Sequence, residues 1–214
     1  RTRGDLSSEL VSRLVDRGAR RDTDVHAAAR LRNLRSMDNM ARTLLASIAL
    51  LAVALTSHAA DTKVLADLPQ VRFPEAHRVV SGAIDAAHVE RLREAGIRHV
   101  INLRPIAENP QFDEAGVVEK HALRYHYLPI EGAQALSRDN VLAFDRILRE
   151  VGDEPALIHC STGNRVGALI ALREAWVRGR GTQEAIEEGR RWGLTRLEED
   201  VRSALERWGS PTLG

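Results

Sequence analysis

From position 73 onward the apolar residues fall into short aliphatic runs separated by stretches of helical spacing. HVINL at 99–103 and PALIHC at 155–160 are apolar runs of strand length, and RYHYLPI at 124–130 alternates and is rich in Tyr, which predicts three strands. A shorter strand is expected at 79–81. Between them, 87–95 carries Val89 and Leu92 at helical spacing with Gly96 as a stop, and 112–122 reads as a short helix. The stretch 139–151 sets Val141, Leu142, Phe144, Ile147, Leu148 and Val151 on one helical face and closes before Pro155. Further helices are predicted at 165–178, 182–192 and 196–208. Strands separated by helices at this spacing imply an α/β fold: a three-layer sandwich in which a short, mostly parallel sheet lies between helices. The folded domain is expected over 73–214, with 60–72 as a linker.

The first part of the chain has a different pattern. Residues 40–60, MARTLLASIALLAVALTSHAA, show a basic start at Arg42, an apolar run over 44–55 and then small residues, the layout of a secretory signal. A run of about 12 residues falls short of the roughly 20 that a spanning helix needs. Ser57-His58-Ala59 fits the small-x-small cleavage rule, so a signal peptide is expected over 37–59, cut after Ala59. That predicts a periplasmic or secreted product with no membrane contact after cleavage. A buried Ala/Leu helix and an uncleaved anchor are the competing readings. Residues 1–36 are Arg-rich and polar and precede both Met37 and Met40, so they are expected to be an upstream extension foreign to the native product. Its competing reading is an amphipathic helix at 6–15.

Aromatic residues make up only 4% of the chain, so the apolar load rests on Ala, Leu, Val and Ile, which suits helices packed on an aliphatic sheet. The formal net charge of +1 hides an asymmetry: from Ala60 onward 21 Lys and Arg face 24 Asp and Glu, a net of −3. A weakly acidic folded part lacks the concentrated basic face that nucleic-acid binding requires. Cys160 is the single cysteine, which excludes an intrachain disulfide and a Cys-rich zinc site. No metal-ligand spacing links His99, His121 and His126, so neither a metal nor another cofactor is expected. No pattern specifies an oligomeric state.

The residues that carry chemistry lie where the third apolar strand ends. Ligands of open parallel sheets bind beyond the carboxyl ends of the strands, where amides at helix N-termini point outward. There the chain reads His159, Cys160, Ser161, Thr162, Gly163, Asn164, Arg165, Val166. The strand delivers the sulfur to the loop floor, Gly163 can take the positive φ that turns amides inward, and Arg165 opens the helix. Helix dipole, amides and guanidinium all favour a thiolate nucleophile over the thiol. Arg165 can grip two oxygens of a phosphate, a geometry Lys cannot offer. His159 could orient the loop through a ring hydrogen bond or be a satisfied core histidine. Arg104, at the end of the first long strand, could add positive charge to the mouth or simply be solvated.

HCSTGNRVG, with VINLRP at 100–105 and YHYLPIEG at 125–132, resembles the protein tyrosine and dual-specificity phosphatase superfamily. Within it the chain is most similar to the bacterial phosphatase-like group whose domains occur beside β-lactamase-like hydrolases. The resemblance spans about 73–192 and implies a dual-specificity-phosphatase-like fold. It further implies a phosphorylated substrate, a phosphocysteine on Cys160, and transition-state binding by Arg165 and the loop from Ser161 to Val166. A separate carboxylic acid would protonate the leaving oxygen. That acid is expected to be Glu131, which follows the strand in YLPIEG; Asp139 is the second candidate, although its position suits a helix N-cap. Two departures stand out. The superfamily loop has five residues between Cys and Arg and this chain has four, and Val166 replaces the Ser or Thr that often follows the arginine.

A four-residue loop is also used by rhodanese-type sulfurtransferases, which carry a persulfide on the cysteine. A non-catalytic phosphate- or sulfate-binding module is the third reading. INLRP and YLPIEG favour the phosphatase, because sulfur transfer has no use for an acid at Glu131.

Overall fold

Five strands form one sheet in the order β1-β2-β5-β3-β4 in the computed structural model, which describes residues 60–208. The expected extension at 1–36 and signal at 37–59 lie outside the described residues. The strands are β1 (Arg72–Glu75), β2 (Arg78–Ser81), β3 (His99–Asn102), β4 (Arg124–Tyr127) and β5 (Ala156–His159). All neighbours pair in parallel except β1 with β2, so the sheet is mixed and mostly parallel, as the alternating pattern requires. The edge strand β1 contains Pro74, and only the turn to β2 brings it into the sheet.

The aliphatic runs are buried on both faces. Val80, Ile101 and Ile158 point into one core and Val79, Val100 and Leu157 into the other, which is the period of two expected of a pleated strand. The first core is covered by α3 (Arg138–Val151), α4 (Asn164–Trp176), α5 (Thr182–Arg191) and α6 (Glu198–Trp208). The second is covered by α1 (Ala86–Glu94) and α2 (Glu114–Lys120). These two helical layers and the sheet are the three-layer sandwich.

Local signals set the element ends. Asp85 and His88 form a reciprocal cap on α1: Asp85 Oδ1 accepts from His88 N at 3.0 Å, and His88 Nδ1 from Asp85 N at 3.2 Å. Ser137, not Asp139, caps α3, accepting from Asn140 N at 3.3 Å; Asp139 lies within the first turn. On α3, Val141, Phe144, Leu148 and Val151 are buried, while Leu142, one step round the helix, is exposed. The β4 ladder stops earlier than the alternation predicts because Pro129 has no N–H to donate, yet Leu128 N and Ile130 N still bond to Asn102 O and Leu103 O.

The expected linker at 60–72 is instead part of the packed domain. Leu65 and Leu68 are buried in the second core, Asp61 N donates to Ala95 O, and Asp67 pairs with Arg91. Two leucines three residues apart were the signal, masked by the polar residues around them.

Candidate active site

Cys160 leaves the carboxyl end of β5, the middle strand of the sheet, and its side chain is 1% exposed. Gly163 adopts φ +82°, a left-handed conformation that L side chains rarely reach, and its N–H donates to Cys160 Sγ at 3.1 Å. The next residue begins α4, whose first amides lack intrahelical acceptors and leave positive potential beside the sulfur. Strand, sulfur, turn and helix N-terminus stand in the order the sequence implied.

The loop is pinned from behind. Asn164 is buried and its Oδ1 accepts from Thr195 N at 2.8 Å, Thr195 Oγ1 at 3.1 Å and Leu197 N at 3.4 Å. Val166 is fully buried in the first core. The side chains of Asn164 and Val166, both expected among the substrate-binding residues, thus serve the loop's support. On the open side Ala83 N donates to Ser161 O, and Thr162 bridges to Gly82. The N-terminal end of α4 lies tight against α5: a Cβ on Gly167 would fall 2.0 Å from Leu194 N and 2.6 Å from Gly189 O.

Arg165 is half-buried and directed at the sulfur side of the loop. Its Nη1 donates to Ile130 O at 3.0 Å and Leu103 O at 3.3 Å, so the ends of two neighbouring strands hold it. Glu108, on a 3-10 turn over Ile106–Glu108, completes the arrangement. Its Oε1 lies 2.8 Å from Arg165 Nη1, and its Oε2 accepts from Arg165 Nη2 at 2.9 Å, Ser161 Oγ at 2.6 Å and Arg104 Nε at 3.3 Å. Ser161 Oγ also accepts from Arg165 Nη2 at 2.8 Å. Burial opposes ionisation of Glu108, but the hydrogen bonds from Arg165 and Ser161 and the arginine charge outweigh it and hold its carboxyl at about 2. Burial likewise works against the Arg165 cation, and is outweighed by Glu108 and by the charge of Cys160, so its pKa rises.

Glu108 was not among the sequence candidates. Its one signal was the four-residue spacing from Arg104 in RPIAE, which the Pro105 and Asn109-Pro110 loop signals obscured. Arg104 touches the site only through Glu108, by Nε to the carboxylate and Nη2 to the carbonyl.

His159 faces the other side of the sheet from Cys160. Its Nε2 lies 2.7 Å from Glu114 Oε1, both side chains are buried, and Glu114 Oε2 accepts from Asn102 Nδ2 at 3.2 Å. His159 therefore belongs to a buried network behind the loop, away from the place where a substrate would stand. Glu131 follows Ile130, whose carbonyl holds Arg165, so its backbone lies beside the cradle. Its side chain is exposed and makes no hydrogen bond or ion pair with another described residue. Among the described residues no group of three His, Cys, Asp or Glu could hold a metal; His99 and His126 bond to each other, Nδ1 to Nε2, at 2.9 Å.

Residues 73–184 match the family described as Swiss Army Knife protein, DSP-PTPase phosphatase domain (PTP-SAK). The chain belongs to this family. PTP-SAK membership makes it a phosphatase-type domain, and solved structures share its fold. A DUF442 protein of Shewanella putrefaciens CN-32 aligns over 70% of this chain and 99% of its own, at 19% identity and a TM-score of 0.55. A protein of Neisseria meningitidis z2491 covers 63% of this chain and 98% of its own, at 22% identity and TM-score 0.52. TpbA of P. aeruginosa in complex with pTyr covers 70% and 89%, at 20% identity and TM-score 0.50. No curated protein matches the sequence.

Proposed function

We propose that this PTP-SAK domain is a cysteine-dependent phosphatase that hydrolyses phosphomonoesters, with aryl esters such as phosphotyrosine as its substrate class. The observation that carries the reading is the loop itself: Cys160 Sγ accepts from Gly163 N at 3.1 Å while Arg165, fixed at the same loop, interacts with the sulfur. In this reading the Cys160 thiolate attacks phosphorus, the S–P bond forms as the P–O bond to the leaving group breaks, and Glu131 gives its proton to that oxygen. Water, deprotonated by Glu131, then attacks phosphorus; the P–S bond breaks and the thiolate returns. Arg165 and the loop amides hold the equatorial oxygens throughout. The aryl preference draws on TpbA, whose structure holds pTyr. No step calls for a metal. The layout of residues 37–59 supports export to the periplasm or medium as the setting for this activity.

Steady-state hydrolysis of para-nitrophenyl phosphate and of a phosphotyrosine peptide tests the reading. Cys160→Ser and Arg165→Ala are each expected to abolish turnover, and Glu131→Gln to lower kcat by about 100- to 10,000-fold. Phosphate release that survives Cys160→Ser would sink the phosphocysteine mechanism, and cyanide-dependent sulfur transfer in its place would identify a sulfurtransferase.

A further inference from the structure

We propose that an arginine-lined cavity remote from Cys160 is a binding site for a linear polyphosphate, inorganic or carried as the tail of a nucleotide. The inference is independent of the phosphatase reading. The cavity has a volume of about 420 Å³ and lies between the start of β2, the end of α3, the last turn of α4 and α5. Arg78 opens β2, whereas Cys160 follows the far end of β5, which runs parallel to β2. Arg173 in the cavity wall and Arg165 in the Cys160 loop stand about 12 Å apart along α4.

Six arginines and four carboxylates line the cavity. Three of these arginines converge on one buried carboxylate. Glu174 Oε1 lies 3.4 Å from Arg173 Nη1 and 3.3 Å from Arg178 Nε, and its Oε2 lies 2.9 Å from Arg180 Nε. The Arg180 contact is an ion pair without hydrogen-bond alignment, so charge alone holds it. Arg173 Nε also reaches the buried carboxylate of Asp145 at 2.7 Å, which Arg149 Nε shares at 2.7 Å. Arg78, 8% exposed, donates only to the carbonyls of His77, Glu154 and Gly152. Burial and the charge of Arg173 push its pKa down against the pull of Glu75 and Asp153, so this wall is short of negative charge.

Arg178 and Arg180 are held through Nε alone. Among the described residues no acceptor meets their terminal nitrogens, so both half-exposed guanidinia keep a full set of donors for a ligand. Gathering like charges around one carboxylate is unfavourable, and a multivalent anion relieves it. Guanidinium forks match phosphoryl oxygens in pairs. Here the forks come from β2, from α4 and from the turn before α5, which spreads them over more than one phosphoryl group and selects a chain over single phosphate. Glu188, the carboxylate on α5, is engaged with Arg191 at 2.7 Å and with Trp192 Nε1 at 2.7 Å.

Isothermal titration with sodium tripolyphosphate tests the site, in wild type and in Arg165→Ala, where the Cys160 loop has lost its anion grip. Both proteins are expected to bind tripolyphosphate at the cavity. Arg178→Ala and Arg180→Ala should each weaken that binding about tenfold, the scale of losing one charge-assisted hydrogen bond, and the double variant should weaken it further. Both side chains are about half exposed, and thermal unfolding followed by circular dichroism confirms that each variant is folded at the titration temperature. Arg178→Lys, which keeps the charge and loses the fork, should fall between wild type and Arg178→Ala. ATP binding as tightly as tripolyphosphate would assign the site to the phosphate chain alone, and tighter ATP binding would place the nucleoside there as well. Inorganic phosphate binding as tightly as tripolyphosphate would overturn the choice of a chain. Binding lost in folded Arg165→Ala, or unchanged in the Arg178 and Arg180 variants, would overturn the site itself. So would an equal loss in Arg98→Ala, an exposed arginine outside the cavity, since that would mean diffuse attraction to surface charge.

Discussion

His159 Nε2 and Glu114 Oε1 meet at 2.7 Å inside the protein, joining the strand that delivers Cys160 to the helix that covers the opposite face of the sheet. A carboxylate can only accept, so the imidazole donates from Nε2, and Glu114 Oε2 remains for Asn102. The pair fastens the last residue of β5 just before the loop begins.

Removing Glu114 should therefore cost stability before it costs chemistry. Glu114→Ala leaves the His159 ring and the Asn102 amide without their buried acceptor, and a loss of about 3 kcal/mol is expected. Urea unfolding at neutral pH measures it. Glu114→Gln, which restores an acceptor, should recover more than half; equal losses in both variants would show that the carboxylate charge, not the hydrogen bond, matters there.

Helix α4 is expected to tolerate no side chain at Gly167. A Cβ would overlap backbone atoms of Leu194 and Gly189, which cannot swing aside as a side-chain tip can. Gly167→Ala should destabilise by about 3 kcal/mol or more. Gly181→Ala is the control, because a Cβ there meets nothing within 4 Å and its φ of −60° suits alanine; a change within about 0.5 kcal/mol is expected. Thermal midpoints of the two variants should separate accordingly.

Acid should loosen the site through Glu108. Its folded pKa, about 2, lies below the ordinary 4.5, so the carboxylate stabilises the fold fully above 4.5 and loses that contribution as pH falls toward 2. Partial exposure reduces the effect to about 1 kcal/mol. Urea midpoints at a series of pH values should show wild type converging on Glu108→Gln as pH drops through this window. A constant gap would contradict the ion pair.

Much of the fold was readable in the chain because its signals are local. HVINL and PALIHC are too apolar for anything but a doubly covered strand, and the spacing of Val141, Phe144, Leu148 and Val151 admits only a helix. What escaped depended on partners. The strand Arg72–Glu75 pairs only through the turn to β2, despite its proline. Leu65 and Leu68 are core residues because they join the buried cluster that holds Val89 and Leu92 of α1 and Val118 of α2, which no periodicity over so few residues can announce.

The candidate site divides along the same line. Sequence alone determined the succession of strand, cysteine, left-handed glycine, arginine and helix, since conformational preference and helix initiation act between neighbouring residues. Only the tertiary structure decided what surrounds it: Glu108 reaches Arg165 across 57 residues and Glu114 reaches His159 across 45. Both contacts exist because β3 lies beside β5, and strand order is set by how helices cover the two faces, a choice that no local pattern of residues encodes.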